Sequence, residues 1–192
     1  MARWWDALLG RTDPVKPDLD ALFALPSAAV TLQAATGLEP NGVGSVCFRP
    51  AEGGAFSALE HDVVELLATG EGPPVEEVRD SYGYTWLVVR RDPGALGGLV
   101  TDLHAVNSSL EVAGFGPSLL CSLVTFTGSA SPGGGIALVY LYKRGTFYPF
   151  APMPGQRRDN PLELQVRGAL AGELKIEPDL GRWFPLWGAP GL

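Results

Sequence analysis

The sequence predicts an α+β layered domain: a largely antiparallel sheet of hairpins alternating with helices, in a helix–hairpin–helix–hairpin–helix core. Three observations predict it. Stretches with helical apolar spacing alternate with short runs rich in β-branched and aromatic residues. The strand patterns come in pairs joined by turns or Gly-rich loops, which favours antiparallel pairing and segregated helices. Finally, 192 residues with 46% hydrophobic content suffice for one well-cored domain and argue against disorder. Gly and Pro reach 42 residues, about 22% against roughly 12% in average chains, so they punctuate many short elements.

Residues 3–9 are expected to form two helical turns, with Trp4/Leu8 and Trp5/Leu9 four apart and Gly10 closing them. TDPVKPD reads as a stiff linker. Leu19, Leu22 and Phe23 open a helical pattern that Pro26 interrupts; Ser27 is placed to cap a second piece that Gly37 ends. VGSVCFR reads as a strand. Ser57 and Glu60 form a capping box for a helix with Leu59, Val63, Leu66 and Leu67 on one face. Strands are expected over 75–79 and 84–91, joined through Ser81, Tyr82 and Gly83. After Pro93-Gly94 comes a long helix with Leu96, Leu99, Val100, Leu103, Val106, Leu110 and Ala113 on one face, stopped by Gly114. Strands over 118–127 and 136–143 flank the loop GSASPGGG. Asn160, Pro161 and Glu163 supply the cap, first turn and capping-box partner of a last helix through Leu174. The chain thus divides into an N-terminal amphipathic segment and linker (1–16), a single α+β domain (17–181) and a Trp/Pro-rich tail (182–192). The same core order occurs in secretion-chaperone-like folds, which bind other proteins, but topology alone carries little functional weight.

Composition removes several classes. The N-terminus lacks the apolar run of a secretory signal, and no run of 18 apolar residues is present, so no spanning helix is expected. Cys47 and Cys121, 74 positions apart, read as reduced packing cysteines of a cytoplasmic protein. A net charge of −7 disfavours nucleic acid as the partner. No two of Cys47, His61, His104 and Cys121 stand at metal-ligand spacing, no Gly-Lys-Ser/Thr marks a P-loop, and no carboxylate pair has distinctive spacing. No metal, cofactor or catalytic residue is therefore assigned.

Charge distribution is more informative than its total. Residues 1–142 hold 7 basic and 16 acidic side chains, whereas residues 143–192 hold 7 basic and 5 acidic ones. The tract YLYKRGTFYPFAPMPGQRRD carries four cations and no acid before Asp159, interleaved with aromatic rings. Arg and aromatic residues are the types enriched where proteins meet partners. Lys143, Arg144, Phe147, Tyr148, Arg157 and Arg158, with Trp183 and Trp187 of the tail, are the candidate partner-binding residues. The competing reading is a strand and Pro-rich loop whose rings, like the tail tryptophans, pack on the chain's own body. A second candidate is an enzyme or small-ligand pocket over the sheet near His104 and Cys121. A third is weak peripheral membrane contact through Trp4 and Trp5, which favour the interface but span too few turns to anchor alone.

WWDALLGRTDPVKPDLDALFALPSAAVTLQAATGL, LHAVNSSLEVAGFGPSLLCS, YKRGTFYPFAP, LELQVRGALAGEL and EPDLGRWFPLWGAPGL resemble the PspAB family, actinobacterial proteins associated with phage shock protein A. The resemblance runs from Trp4 to Leu192 and is weakest over 70–80 and 128–135. It implies a non-enzymatic accessory protein of the envelope-stress system, with phage shock protein A as the expected protein partner. It also implies a cytoplasmic location with recruitment to the inner face of the membrane. It brings no catalytic residues and leaves the oligomeric state open.

Overall fold

The computed structural model describes residues 17–49, 75–128 and 134–192. The expected N-terminal turns with Trp4 and Trp5, and the helix after Ser57, lie outside these residues. Six strands form one antiparallel sheet in the order β2-β3-β1-β4-β5-β6: β1 Glu39–Phe48, β2 Glu76–Arg79, β3 Thr85–Arg90, β4 Leu119–Thr127, β5 Ile136–Leu141 and β6 Thr146–Phe150. Three helices are described: α1 Leu25–Thr36, α2 Leu96–Val112 and α3 Asn160–Leu170. A small hairpin, β7 Pro152–Met153 with β8 Arg157–Arg158, precedes α3. The α+β class and the antiparallel sheet agree with the sequence.

Three elements differ from expectation. The simplest is the last helix: Asp159, not Asn160, caps it by accepting from the Leu162 N–H, and it ends at Leu170 rather than Leu174. The other two lie in the first helix and the sheet. Pro26 does not interrupt the first helix: a 3-10 turn, Leu19–Ala24, runs directly into α1, and Pro26 occupies the first turn. There its missing N–H has no intrahelical partner to lose. Ser27 is consequently no cap; its hydroxyl donates to Glu173 at 2.9 Å. The remaining difference is β6, which the sequence hides. Tyr142–Gly145 make a tight turn in which the N–H groups of Arg144 and Gly145 both reach the Leu141 carbonyl, with Gly145 at φ 61°. The chain then returns along β5, pairing Val139 with Tyr148 and Ala137 with Phe150. All five residues of β6 are buried, so no alternation marks the strand, and Pro149 is tolerated because β6 is the last strand of the sheet. Its outer edge is covered: Phe147 N–H donates to the Lys175 carbonyl at 2.9 Å, and Glu177 N–H to the Phe147 carbonyl at 2.7 Å. The opposite edge, β2, is protected by charge through Glu76, Glu77 and Arg79.

The two faces of the sheet are covered differently. One carries Val46, Phe48, Leu87, Val124, Phe126, Leu138 and Phe147 against the helices, including Leu25 and Leu32 of α1, Leu103 and Val106 of α2, and Val166 of α3. Gly44 lets α2 approach β1, since a Cβ there would meet Leu103 Cδ1 at 2.9 Å. By length and mean hydropathy alone the stretch Leu19–Thr36 reaches membrane-spanning values, contrary to the sequence expectation. Its Leu22, Leu25, Ala28 and Leu32 are buried in this core. The other face carries Val43, Cys47, Trp86, Val88, Cys121, Leu123, Val139, Tyr148 and Phe150, and its cover is the C-terminal tail.

Candidate functional site

The tail is fixed by two buried carboxylates. Glu177 has no exposed surface; its carboxylate accepts from Arg144 Nε at 2.6 Å, Thr146 Oγ1 at 2.8 Å and the Asp179 N–H at 3.2 Å. Burial pulls its pKa up, but these donors outweigh it and hold the carboxyl below its usual range. Glu163, at the start of α3, accepts from Arg158 Nε at 2.9 Å and from the Ala151 N–H at 2.9 Å. Here burial wins over Arg158, and the carboxyl is held above its usual range. The Arg158 guanidinium also donates to the carbonyls of Trp183 and Pro149 and sits over the Phe150 ring. Trp183 Nε1 donates to the Glu177 carbonyl at 3.1 Å while its ring stacks on Tyr148. Tyr148 O–H donates to the Phe184 carbonyl at 2.9 Å, and Trp187 meets Phe150 edge-on.

Beside the docked tail an open cleft of about 710 Å³ crosses the sheet. Its floor is one cross-strand row: Trp86 on β3 pairs with Cys47 on β1, Cys47 with Cys121 on β4, and Cys121 with Leu141 on β5. Small side chains at the two central positions lower the floor between the larger Trp86 and Leu141. One wall is the β2–β3 turn with Tyr82 and Tyr84; the other is the tail with Phe184, Leu186 and Trp187. Asp80 fixes the first wall by accepting from the N–H groups of Tyr82 and Tyr84, each at 2.9 Å, and from Trp86 Nε1 at 3.0 Å. Burial opposes ionisation there, yet these donors, led by Trp86, hold the Asp80 carboxyl below its usual range. Lys143, Arg144 and Arg182 line the cleft as its cations. Hydrogen bonding to Cys121, then burial, pushes the Cys47 thiol far up, so Cys47 offers no thiolate nucleophile at neutral pH.

The model of the PspAB family, PspA associated protein B, matches residues 2–191. This chain belongs to the PspAB family. The family's name records association with PspA and thus an accessory role. No curated protein and no solved structure matches the chain.

In this PspAB member the sequence candidates fall into three groups. Lys143 and Arg157 are exposed, and Arg157 touches only the Pro154 carbonyl among the described residues. Arg144, Tyr148, Arg158, Trp183 and Trp187 are tied into the tail–sheet contact, with Arg144, Tyr148 and Trp187 also lining the cleft. Phe147 corrects the expectation of an exposed aromatic tract: it points to the helix-covered face, 1% exposed, against Tyr140. The second candidate is corrected as well. A pocket exists at Cys121, but His104 lies on α2 in the helix layer, across the sheet from it. His104 Nε2 is 3.2 Å from Asp20 Oδ1 and its ring lies against Phe23. Among the described residues no three His, Cys, Asp or Glu gather to hold a metal.

Sequence reasoning missed Asp80, Tyr82, Tyr84, Gln156 and Phe184. A signal for the first wall existed: Tyr84 and Trp86 stand two apart at the start of a strand pattern, which puts both rings on one face, and Tyr82 joins them through the turn. Asp80 three residues before Gly83 is the matching turn chemistry.

Proposed function

We propose that this chain is a non-enzymatic accessory protein in the bacterial envelope-stress response of actinobacteria, acting by binding PspA as its protein partner. The observation that carries this reading beyond the family name is an exposed basic and apolar ridge beside the cleft. Arg157 on the β8 hairpin, Arg182 and Phe184 on the tail, and Lys143 at the β5–β6 turn are all solvent-exposed, and Phe184 is 56% exposed. Among the described residues Arg182 pairs only with Asp179 at the surface, a contact that an incoming carboxylate replaces at little cost. Such a ridge suits a partner surface that alternates acidic and apolar residues, as an amphipathic helix does. The same reading places the protein in the cytoplasm, with recruitment to the inner face of the membrane through PspA and through Trp4 and Trp5.

Co-purification of PspA with the chain from envelope-stressed cells tests the partner. The double substitution Arg157→Glu and Arg182→Glu should cut recovered PspA at least tenfold while leaving the melting temperature within about 3 °C, as expected for surface positions. Full recovery with the double variant removes the ridge from the reading. Arg158 is unsuitable for this test because its charge is already committed to Glu163. Flotation on anionic liposomes with and without residues 1–10 tests the membrane contact separately.

A further inference from the structure

The cleft shares Lys143, Arg182 and Phe184 with the ridge, but the chemistry of its interior is more specific. Its volume of about 710 Å³ falls within the roughly 300–1,000 Å³ of small-molecule sites. Its floor crosses three interstrand spacings, about 14 Å. The lining is apolar and aromatic along this length, with Tyr82, Tyr84 and Trp86 towards one end and Leu120, Leu141 and Leu186 further along. The charge is polarised. Asp80 sits at the β3 end, bonded to Trp86 of the floor, whereas Lys143 and Arg144 follow Leu141 at the β5 end. Arg144 already holds Glu177, but Lys143 is exposed and forms no ion pair among the described residues. Gln156 adds a polar side chain to the lining. It is the one non-glycine residue among those described with positive φ, at 53°. Sparsely populated conformations of this kind concentrate at ligand sites.

We propose that this cleft binds a small anionic amphiphile: an aromatic or acyl body on the Trp86–Cys47–Cys121–Leu141 floor, with a carboxylate, sulfonate or phosphate head at Lys143. Asp80 repels an anion from the opposite end and so fixes the direction in which the ligand lies. The two cysteines serve as small floor residues that make room for the body. The ridge and the cleft share Lys143, Arg182 and Phe184, so the two readings are separated at Arg157, which does not line the cleft.

Fluorescence titration with anilinonaphthalene sulfonate, an aromatic body bearing one anionic head, tests the assignment. The probe should bind one per chain, and decanoate should displace it at concentrations where decanol does not. Lys143→Glu, an exposed position that the fold tolerates, should weaken the probe about tenfold, the size of one lost charge-assisted contact. Cys121→Leu, which projects bulk into the cleft, should weaken it at least as much with near-ultraviolet circular dichroism unchanged, while Arg157→Glu should leave it unaltered. Displacement by phosphatidylglycerol vesicles as well as decanoate would mark a lipid as the source of the ligand; displacement by decanoate alone would mark a free metabolite. Unchanged probe binding in the Lys143→Glu variant, or displacement by decanol as effective as by decanoate, would overturn the proposal.

Discussion

Arg157 and Arg158 are adjacent in sequence and equal in charge, yet the structure assigns them opposite energetic weights. Replacing Arg157 with Ala removes an exposed side chain whose Nε, among the described residues, reaches only the Pro154 carbonyl at 3.3 Å, and such changes cost within about 0.5 kcal/mol. Replacing Arg158 with Ala leaves the Glu163 carboxylate, 3% exposed, without its counter-ion. It also strips donors from the carbonyls of Trp183 and Pro149 and a cation from the Phe150 face. Breaking a buried pair from one side costs about 3–5 kcal/mol. With a urea m-value of about 2 kcal/mol per M, the midpoint should fall by about 1.5–2.5 M. The penalty should also depend on pH with a defined sign. Burial already holds the Glu163 pKa above its unfolded value, and Arg158 opposes that rise, so deleting Arg158 raises it further. Between the unfolded and folded pKa values the native state binds more protons, so stability falls as pH rises through that window. Urea midpoints measured at roughly pH 5 and pH 8 should therefore show a smaller Arg158→Ala deficit at the lower pH. Equal deficits for the two arginines, or a deficit that widens on acidification, would refute the pairing.

Trp183→Ala should destabilise by about 3–5 kcal/mol in the same assay, because its ring is 5% exposed against Tyr148; a loss below about 1 kcal/mol would mean the tail is not firmly docked. Gly42→Ala should be among the costliest single-methyl changes. Gly42 has φ 78°, and its Cβ would stand 2.1 Å from the Arg91 carbonyl oxygen, so wild-type-like melting would contradict the irregular pairing of β1. Burial pushes Tyr140 and Tyr142 up to about 12, and Tyr148 further still. Since these folded values exceed the unfolded one, their contribution is lost as pH rises above about 10. Absorbance titration should accordingly show Tyr140, Tyr142 and Tyr148 still largely un-ionised at about pH 10.

What the sequence revealed follows from where the information sits. The periodic face of α2 and the strand of Trp86 are local patterns, and both occur within a residue or two of their expected limits. β6 was illegible because both of its faces are buried and Pro149 and Gly145 carry the marks of a loop. The cleft is non-local in principle. Cys47 and Cys121 stand 74 positions apart, and only the register of β1 on β4 makes them neighbours. Likewise, the separation of His104 from Cys121 depends on which face α2 covers, which composition does not encode.

The C-terminal charge excess has the same lesson in electrostatic form. Seven basic residues against five acidic ones in residues 143–192 suggested a basic surface. Three of those cations instead meet carboxylates of the same segment: Arg144 with Glu177, Arg158 with Glu163 and Arg182 with Asp179. The first two pairs involve buried carboxylates and hold the tail on the sheet; only the third is exposed enough to be exchanged for a partner. A charge reversal chosen from the sequence alone would thus unfold the protein at Arg158 and report lost binding for the wrong reason. The informative positions are those whose charge forms no ion pair among the described residues, Lys143 at the cleft and Arg157 on the ridge, and Arg157 separates partner from ligand because it does not line the cleft.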